Sequence, residues 1–301
     1  MKVLNFGSLN IDRSYTVPHF VQAGETLAST EMHTASGGKG LNQSIALARA
    51  GLPVWHAGTV GSDGEMLLQE LCSSGVDVSC VLRDPVHPTG HAIIQVDSSG
   101  QNCILLHGGA NRSITEAEVQ QILSQFGAGD WLFLQNEISC LDFLIHQAAA
   151  RGMTVVLNPS PLDEALLSMD LGDIHWLILN EVEGAGITGQ TEPEAICTAL
   201  REKYPHLKIE LTLGSQGSLC DDGAEITRQP IFKVNAVDTT AAGDTFTGYF
   251  FASILQGKSV AKALERASLA SALAVTRPGA APSSPTAAEV ERFAQERGEN
   301  A

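Results

Sequence analysis

The sequence predicts an α/β fold: a mostly parallel sheet with helices on both faces. Two observations carry that expectation. Four short apolar runs, WLFLQNE from Trp131, TVVLNPSP from Thr154, WLILNEVE from Trp176 and KIELTLGSQG from Lys208, each read as a fully buried strand that ends in polar groups. Between them lie segments such as SCLDFLIHQAAARG and EPEAICTALREKY, whose apolar residues recur every three or four positions as an amphipathic helix requires. Strand and helix therefore alternate, which calls for mostly parallel pairing with helices on both faces. A chain of 301 residues with 44% hydrophobic content can fill the core such a sheet needs.

From the N-terminus, MKVLNFGSLNID holds an apolar run broken by Asn5 and Gly7, too short for a signal peptide or membrane anchor. Residues 11–34 and 88–107 depart from the alternating pattern and read as short strands with Gly and Pro turns. VDSSGQN in the second piece is a hairpin signal. A small sheet built from these two pieces would cover the mouth of the main layer, so the chain is expected to be one domain, residues 1–301, with a lid. ASGGKGLNQSIALARAG, Ala35 to Gly51, places Gly37, Gly38 and Gly40 before a helix whose stripe is Leu41, Ile45 and Ala48. These glycines suit either a plain tight turn or close approach of a hydroxylated ligand beside Lys39 and Asn42.

Ligands of parallel sheets bind beyond the carboxyl ends of the strands, where Glu137, Asn158, Asn180, Glu183, Thr212 and Gly214 fall. These polar ends are expected to line one cleft. The last helix of interest opens in VNAVDTTAAGDTFTGYFFASI, with Phe246, Phe250 and Ile254 as its buried stripe and a start near Ala242 or Gly243. Small residues at Ala241, Ala242 and Gly243 leave backbone N–H groups open at a helix N-terminus, a site suited to phosphate. Asp244 then has two readings: a first-turn acid that stabilises the helix dipole, or a group that acts on a ligand beside the anion.

Other patterns carry no site. ASILQGKS has Ala252 where a phosphate loop needs its first Gly, and GTVGSDGE is not GxGxxG. The nine histidines form no HExxH pair, and the six cysteines, at 72, 80, 103, 140, 197 and 220, show no zinc spacing. They are expected to be reduced thiols in a cytoplasmic protein. Eighteen basic against thirty-four acidic residues give a net charge of −16, which disfavours nucleic acid and anionic membrane as partners.

GSLNID, SGGKGLNQ, NPSP, LNEVEG, TLGSQG and AVDTTAAGDTFTG occur in the order and spacing of the ribokinase-type carbohydrate kinases, and the chain resembles that family from Gly7 to about Ser284. HGGAN and AVTRPGAAPS add to the resemblance. It implies an α/β/α sandwich with a small β lid, and transfer of the γ-phosphoryl group of ATP to a sugar hydroxyl with Asp244 as general base. By matching position, Asn10, Asp12, Gly37, Gly38, Lys39, Asn42 and Glu137 would hold the sugar. Asn180 and Glu183 would serve the Mg²⁺ and phosphate region, while Thr212, Gly214 and Gly217 would bind nucleotide. Asp238, Thr240, Ala274, Arg277, Gly279 and Ser283 would hold a monovalent cation, K⁺, largely through carbonyl oxygens. Ala241 stands where many members have Gly.

A sugar site so rich in charged and amide groups suits a small polyol ring such as D-ribose, with another pentose, a hexose or a nucleoside as the alternative. Two further classes compete. A non-enzymatic sugar or nucleotide sensor would lack Asp244 or the small-residue run, and a dinucleotide-dependent oxidoreductase would need GxGxxG. The lid strands carry Ile93, Ile104 and Leu106, with the polar Gln95 among them, on an open sheet that a monomer would leave partly exposed, so a homodimer through the lid is expected.

Overall fold

The computed structural model describes residues 1–298. Among these residues nine strands form the main sheet, in the spatial order Ile226–Gln229, Ser218–Asp221, Lys208–Thr212, Trp176–Asn180, Thr154–Asn158, Trp131–Gln135, Val3–Phe6, Val54–Val60 and Asp77–Arg83. Pairing is parallel throughout the seven strands from Lys208–Thr212 to Asp77–Arg83. The two strands at the other edge join as an antiparallel meander. All four apolar runs of the sequence are strands of this sheet. Because successive side chains point to opposite faces, each run feeds two cores at once. Leu132, Leu134, Leu177 and Leu179 face one, while Phe133, Trp176 and Ile178 face the other.

The chain enters at Val3–Phe6, builds outward to Val54–Val60 and Asp77–Arg83, then returns to the opposite side of the first strand with Trp131–Gln135. The connections therefore diverge between Val3–Phe6 and Trp131–Gln135. In an open parallel sheet a crevice forms at such a point, beyond the carboxyl ends of the two strands. Gly7 and Ser8 leave one strand there, and Asn136 and Glu137 leave the other.

The second core holds the helices that frame this crevice. The Ala242–Leu255 helix is anchored by Phe250 and Phe251, which stack edge-on against Trp176 and Phe133 with ring centroids 5.2 to 5.7 Å apart. Its buried face is wider than the expected stripe: Tyr249, Phe251 and Ala252 are fully enclosed, whereas Ile254 in the last turn is half-buried. The Lys39–Arg49 helix is buried on nearly all sides from Gly40 to Leu47, since it lies between the sheet and the Ala242–Leu255 helix. Ala48, expected in its stripe, is only partly covered.

A separate four-stranded sheet is ordered Glu31–Gly37, Asn10–Thr16, Gly90–Val96 and Asn102–His107. Its two central strands pair in parallel, and a turn at 97–101 closes the hairpin to the last strand. No helix of the described residues is long and apolar enough to cross a membrane.

Candidate active site

The close approach at the crevice depends on glycine. A Cβ on Gly7 would lie 2.6 Å from the Gly40 Cα, and one on Gly40 would lie 2.4 Å from the Ser8 nitrogen. With both side chains absent, the Lys39–Arg49 helix starts directly against the end of the first strand, and the Leu41 N–H donates to the Ser8 carbonyl at 3.0 Å. Gly38, which precedes the helix, has φ of 96°, a conformation that favours glycine. Glu137 bridges the two strand ends: it accepts from the Ser8 hydroxyl and, at 3.2 Å, from the Lys39 N–H.

Asn10 and Asp12 reach the same place from the small sheet. Asp12 packs onto Gly37, where any Cβ would fall 2.0 Å from its Oδ2. Burial first, and then the nearby Glu137 carboxylate, push Asp12 from 3.8 up to about 6. Asn111, in HGGAN, clasps both backbone groups of Leu9 and donates to Asn10 Oδ1 at 2.8 Å. It thereby fixes the orientation of the buried Asn10 amide. Asn10, Asp12, Gly37, Gly38, Lys39 and Glu137 are thus brought together.

Asp244 occupies the first turn of the Ala242–Leu255 helix, yet no side chain caps that helix. Its carboxylate instead accepts from the neighbouring helix: Oδ2 from Asn42 Nδ2 at 3.0 Å and Oδ1 from Gln43 Nε2 at 2.9 Å. The residue just before the helix, Ala241, has φ of 57° in the left-handed region, which costs a residue with a Cβ about 1 kcal/mol. That is the position where the family resemblance calls for Gly. The tight turn this produces changes one expectation. The Ala242 N–H is not open to a ligand, because it donates to the Thr239 carbonyl at 3.2 Å. The Gly243 and Asp244 N–H groups have no partner among the described residues and remain open at the helix N-terminus.

A cleft of about 190 Å³ runs from Lys39 and Asp244 past Ala241, Ala242 and Gly243 to Asn158, Asn180, Glu183 and Thr212. Asn180 and Glu183 form a reciprocal cap on the Glu181–Thr188 helix, with Asn180 Oδ1 accepting from the Glu183 N–H at 2.9 Å and Glu183 Oε2 from the Asn180 N–H at 3.0 Å. Gly214 and Gly217 lie outside the cleft lining, in the loop after Thr212. Gly217 has φ of 101°, and a Cβ there would sit 2.1 Å from the Gln229 carbonyl oxygen. Burial alone would push the Lys39 ammonium down; Asp244, Glu137 and Glu183 outweigh it and hold the group above its usual range. The site therefore keeps a cation at its centre.

Asp238 ties two loops together, with Oδ1 accepting from the Thr240 N–H at 2.9 Å and Oδ2 from the Gly279 N–H at 2.8 Å. Burial opposes its ionisation, but the bonds from Thr240 and Gly279 hold it below the usual carboxylate range. Arg277 turns its guanidinium to Glu289 at 2.8 Å, and the buried Ser283 hydroxyl donates to the Ala280 carbonyl at 2.7 Å. Asp238, Thr240, Arg277 and Gly279 thus meet in one knot of loops at the end of the Val260–Ala274 helix, whose last carbonyl, that of Ala274, accepts from the Arg277 N–H at 3.0 Å, and Ser283 lies in the turn that follows. Asp238 and Arg277 carry opposite charges, and the Asp238 oxygens and the Ala274 carbonyl accept from N–H groups of the knot itself.

Four residues at the site, Ser8, Gln43, Asn111 and Gln135, were not singled out from the sequence. Their one signal is a polar side chain within or beside an otherwise buried run.

The profile of the pfkB family carbohydrate kinases matches residues 1–287. A ribokinase of Haemophilus influenzae is 35% identical over 298 residues, covering 95% of this chain and 96% of that protein. A deoxyribokinase of Salmonella typhi is 29% identical, with 97% of each chain covered. The solved structure of Arabidopsis thaliana ribokinase complexed with ribose and ATP superposes with a TM-score of 0.85 at 30% identity, covering 97% of this chain and 98% of that one. On the breadth of the family match and the identity to its curated relative, the chain belongs to the pfkB family of ribokinase-like carbohydrate kinases.

Proposed function

We propose that the protein is an ATP-dependent ribokinase that phosphorylates the 5-hydroxyl of D-ribose. The observation that carries this reading is the position of Asp244, a carboxylate beside two N–H groups that are unpaired among the described residues, at a helix N-terminus and facing the sugar-side residues of the crevice. Transfer of a γ-phosphoryl group through a loose transition state requires alignment and charge stabilisation more than covalent chemistry. Asn10, Asp12, Lys39, Asn42 and Glu137 would orient the sugar, and Asp244 would take the proton of the attacking hydroxyl. The Gly243 and Asp244 N–H groups would meet the charge developing on the transferred group. Asn158, Asn180 and Thr212, which line the cleft, would face the nucleotide. Gly214 and Gly217 would shape that path from behind, and the four-stranded sheet would close over the sugar as a lid that excludes water.

Glu183, with Asn180, would face Mg²⁺, which supplies charge neutralisation on the phosphate oxygens when bound. The knot around Asp238 would hold K⁺ and so fix the turn that opens the Ala242–Leu255 helix. The cytoplasm is the compartment in which the six free thiols would stay reduced. Two copies would associate through their small sheets. Relatedness to a deoxyribokinase favours 2-deoxyribose as the second reading for the acceptor.

The test is ADP release from ATP with D-ribose, measured for the wild type in K⁺ and in Na⁺ buffer and for Asp244→Asn. Asp244→Asn is expected to lower kcat by about a hundredfold or more, with both KM values little changed, and K⁺ to activate over Na⁺. Near-normal turnover of the variant would remove Asp244 as base. Equal rates in the two buffers would remove the cation from the Asp238 knot.

A further inference from the structure

Behind Asp244 runs a line of amide side chains that the phosphoryl-transfer scheme does not use. Asn5 and Gln135 are 0% exposed and Gln43 is 1% exposed, so no bulk water can satisfy them. Asn5 Nδ2 donates to the Gly40 carbonyl and to Ser44 Oγ, both at 2.8 Å. Asn5 Oδ1 accepts from Gln135 Nε2 at 3.0 Å, the same nitrogen donates to Gln43 Oε1 at 2.7 Å, and Gln43 Nε2 donates to Asp244 Oδ1 at 2.9 Å.

The polarity of this line is fixed at its far end. A backbone carbonyl can only accept, so the Asn5 amide must turn its nitrogen toward Gly40 and its oxygen toward Gln135. Gln135 must then present its nitrogen, Gln43 must accept with its oxygen, and the end left for Asp244 is a donor. Turning any one amide over would set oxygen against oxygen, or N–H against N–H, in a dry interior. Glycine at position 7 makes room for this arrangement, since a Cβ there would lie 2.1 Å from Gln135 Oε1.

The two oxygens of Asp244 are therefore held differently. Oδ1 is bound from the buried side by Gln43. Among the described residues Oδ2 is bound only by Asn42, which is 9% exposed and whose own buried Oδ1 has no partner there.

We propose that Gln43 is a positioning residue for the reaction, oriented by Gln135 and Asn5, and that its bond to Oδ1 reserves Asp244 Oδ2 as the oxygen that receives the substrate proton. The proposal rests on the reading of Asp244 as the base. On binding, the sugar hydroxyl replaces the Asn42 amide at Oδ2, while the Gln43 bond stays in place and keeps the carboxylate from rotating.

The experiment compares Gln43→Met, Gln43→Glu and the double variant Gln43→Glu/Asp244→Asn in kcat, KM and Tm. Gln43→Met removes the donor at similar length and should lower kcat about tenfold or more, with KM for ribose and ATP within about twofold. Gln43→Glu keeps the oxygen that accepts from Gln135 but sets a second oxygen against Asp244 Oδ1, so Tm should fall along with kcat. Asn at 244 can turn its nitrogen to Glu at 43, so the double variant should recover the lost Tm without recovering turnover. Unchanged kcat in Gln43→Met, or no recovery of Tm in the double variant, would overturn the assignment of Gln43. Normal turnover of Asp244→Asn alone would overturn the base and with it the catalytic half of the proposal, whereas the Tm arm would still decide whether the bond exists.

Discussion

Asp244 sits where an acidic side chain ordinarily turns back onto its own helix, but both its oxygens accept from Asn42 and Gln43 of the neighbouring helix. Asp12 shows how a second carboxylate at the site is tuned. Burial and the proximity of Glu137 raise it to about 6, so it is ionised above that pH and carries a proton on one oxygen below it. An ionised Asp12 can accept from two sugar hydroxyls, a protonated one from fewer. kcat/KM for ribose should therefore fall as pH drops, by about tenfold at about pH 5 relative to its plateau, and Asp12→Asn should abolish that limb. A flat profile for KM of ribose across this range would separate Asp12 from sugar binding. At this scale the sequence was legible where a motif names a residue, as for Asp244, Asn42 and Glu137. Gln43 and Gln135 were not legible, because their meaning lies in bonds to partners 201 and 92 residues away in the chain.

The two helices that carry these bonds can approach because Gly248 faces Ala46. A Cβ on Gly248 would lie 2.4 Å from the Ala46 Cβ and 2.7 Å from the Ala46 carbonyl carbon, and the latter, being backbone, cannot swing aside. Gly248→Ala should push the Ala242–Leu255 helix away from Lys39–Arg49 and cost about 1 to 3 kcal/mol of stability. It should also lower kcat, since the Asn42 and Gln43 bonds to Asp244 span the same contact. Urea denaturation with wild-type stability would show that the helices already have room. Apolar runs located the strands well, because a strand buried on both faces needs no partner to be recognised. Helical stripes were less faithful: Ile254 and Ala48 are half-buried, and Gln43 and Ser44 lie inside, since periodicity cannot reveal that a helix is covered on several sides.

At the scale of the whole molecule, the small sheet leaves an edge without a partner among the described residues. Its outer strand, Asn102–His107, is exposed along its length, with Ile104 57%, Leu105 67% and Leu106 45% accessible. An open edge of this kind pairs or aggregates unless covered, so the proposed dimer should place these strands against each other. Light scattering at micromolar concentration should give twice the 31.8 kDa chain mass, and a monomer mass would contradict the pairing. The general position of the crevice was legible from the alternation of strands and helices, but its depth was not. That depth depends on Gly7, Gly37 and Gly40 letting separate segments meet. The central claim, a kinase for a small polyol ring, is tested most directly by kcat/KM in ADP release for D-ribose, 2-deoxyribose, a hexose and adenosine under one set of conditions. A substrate lacking a hydroxyl leaves a buried acceptor such as Asp12 unpaired, so D-ribose should exceed 2-deoxyribose by about tenfold or more and lead the panel. A higher kcat/KM for adenosine, the hexose or 2-deoxyribose would contradict the assignment of ribose while leaving the family intact.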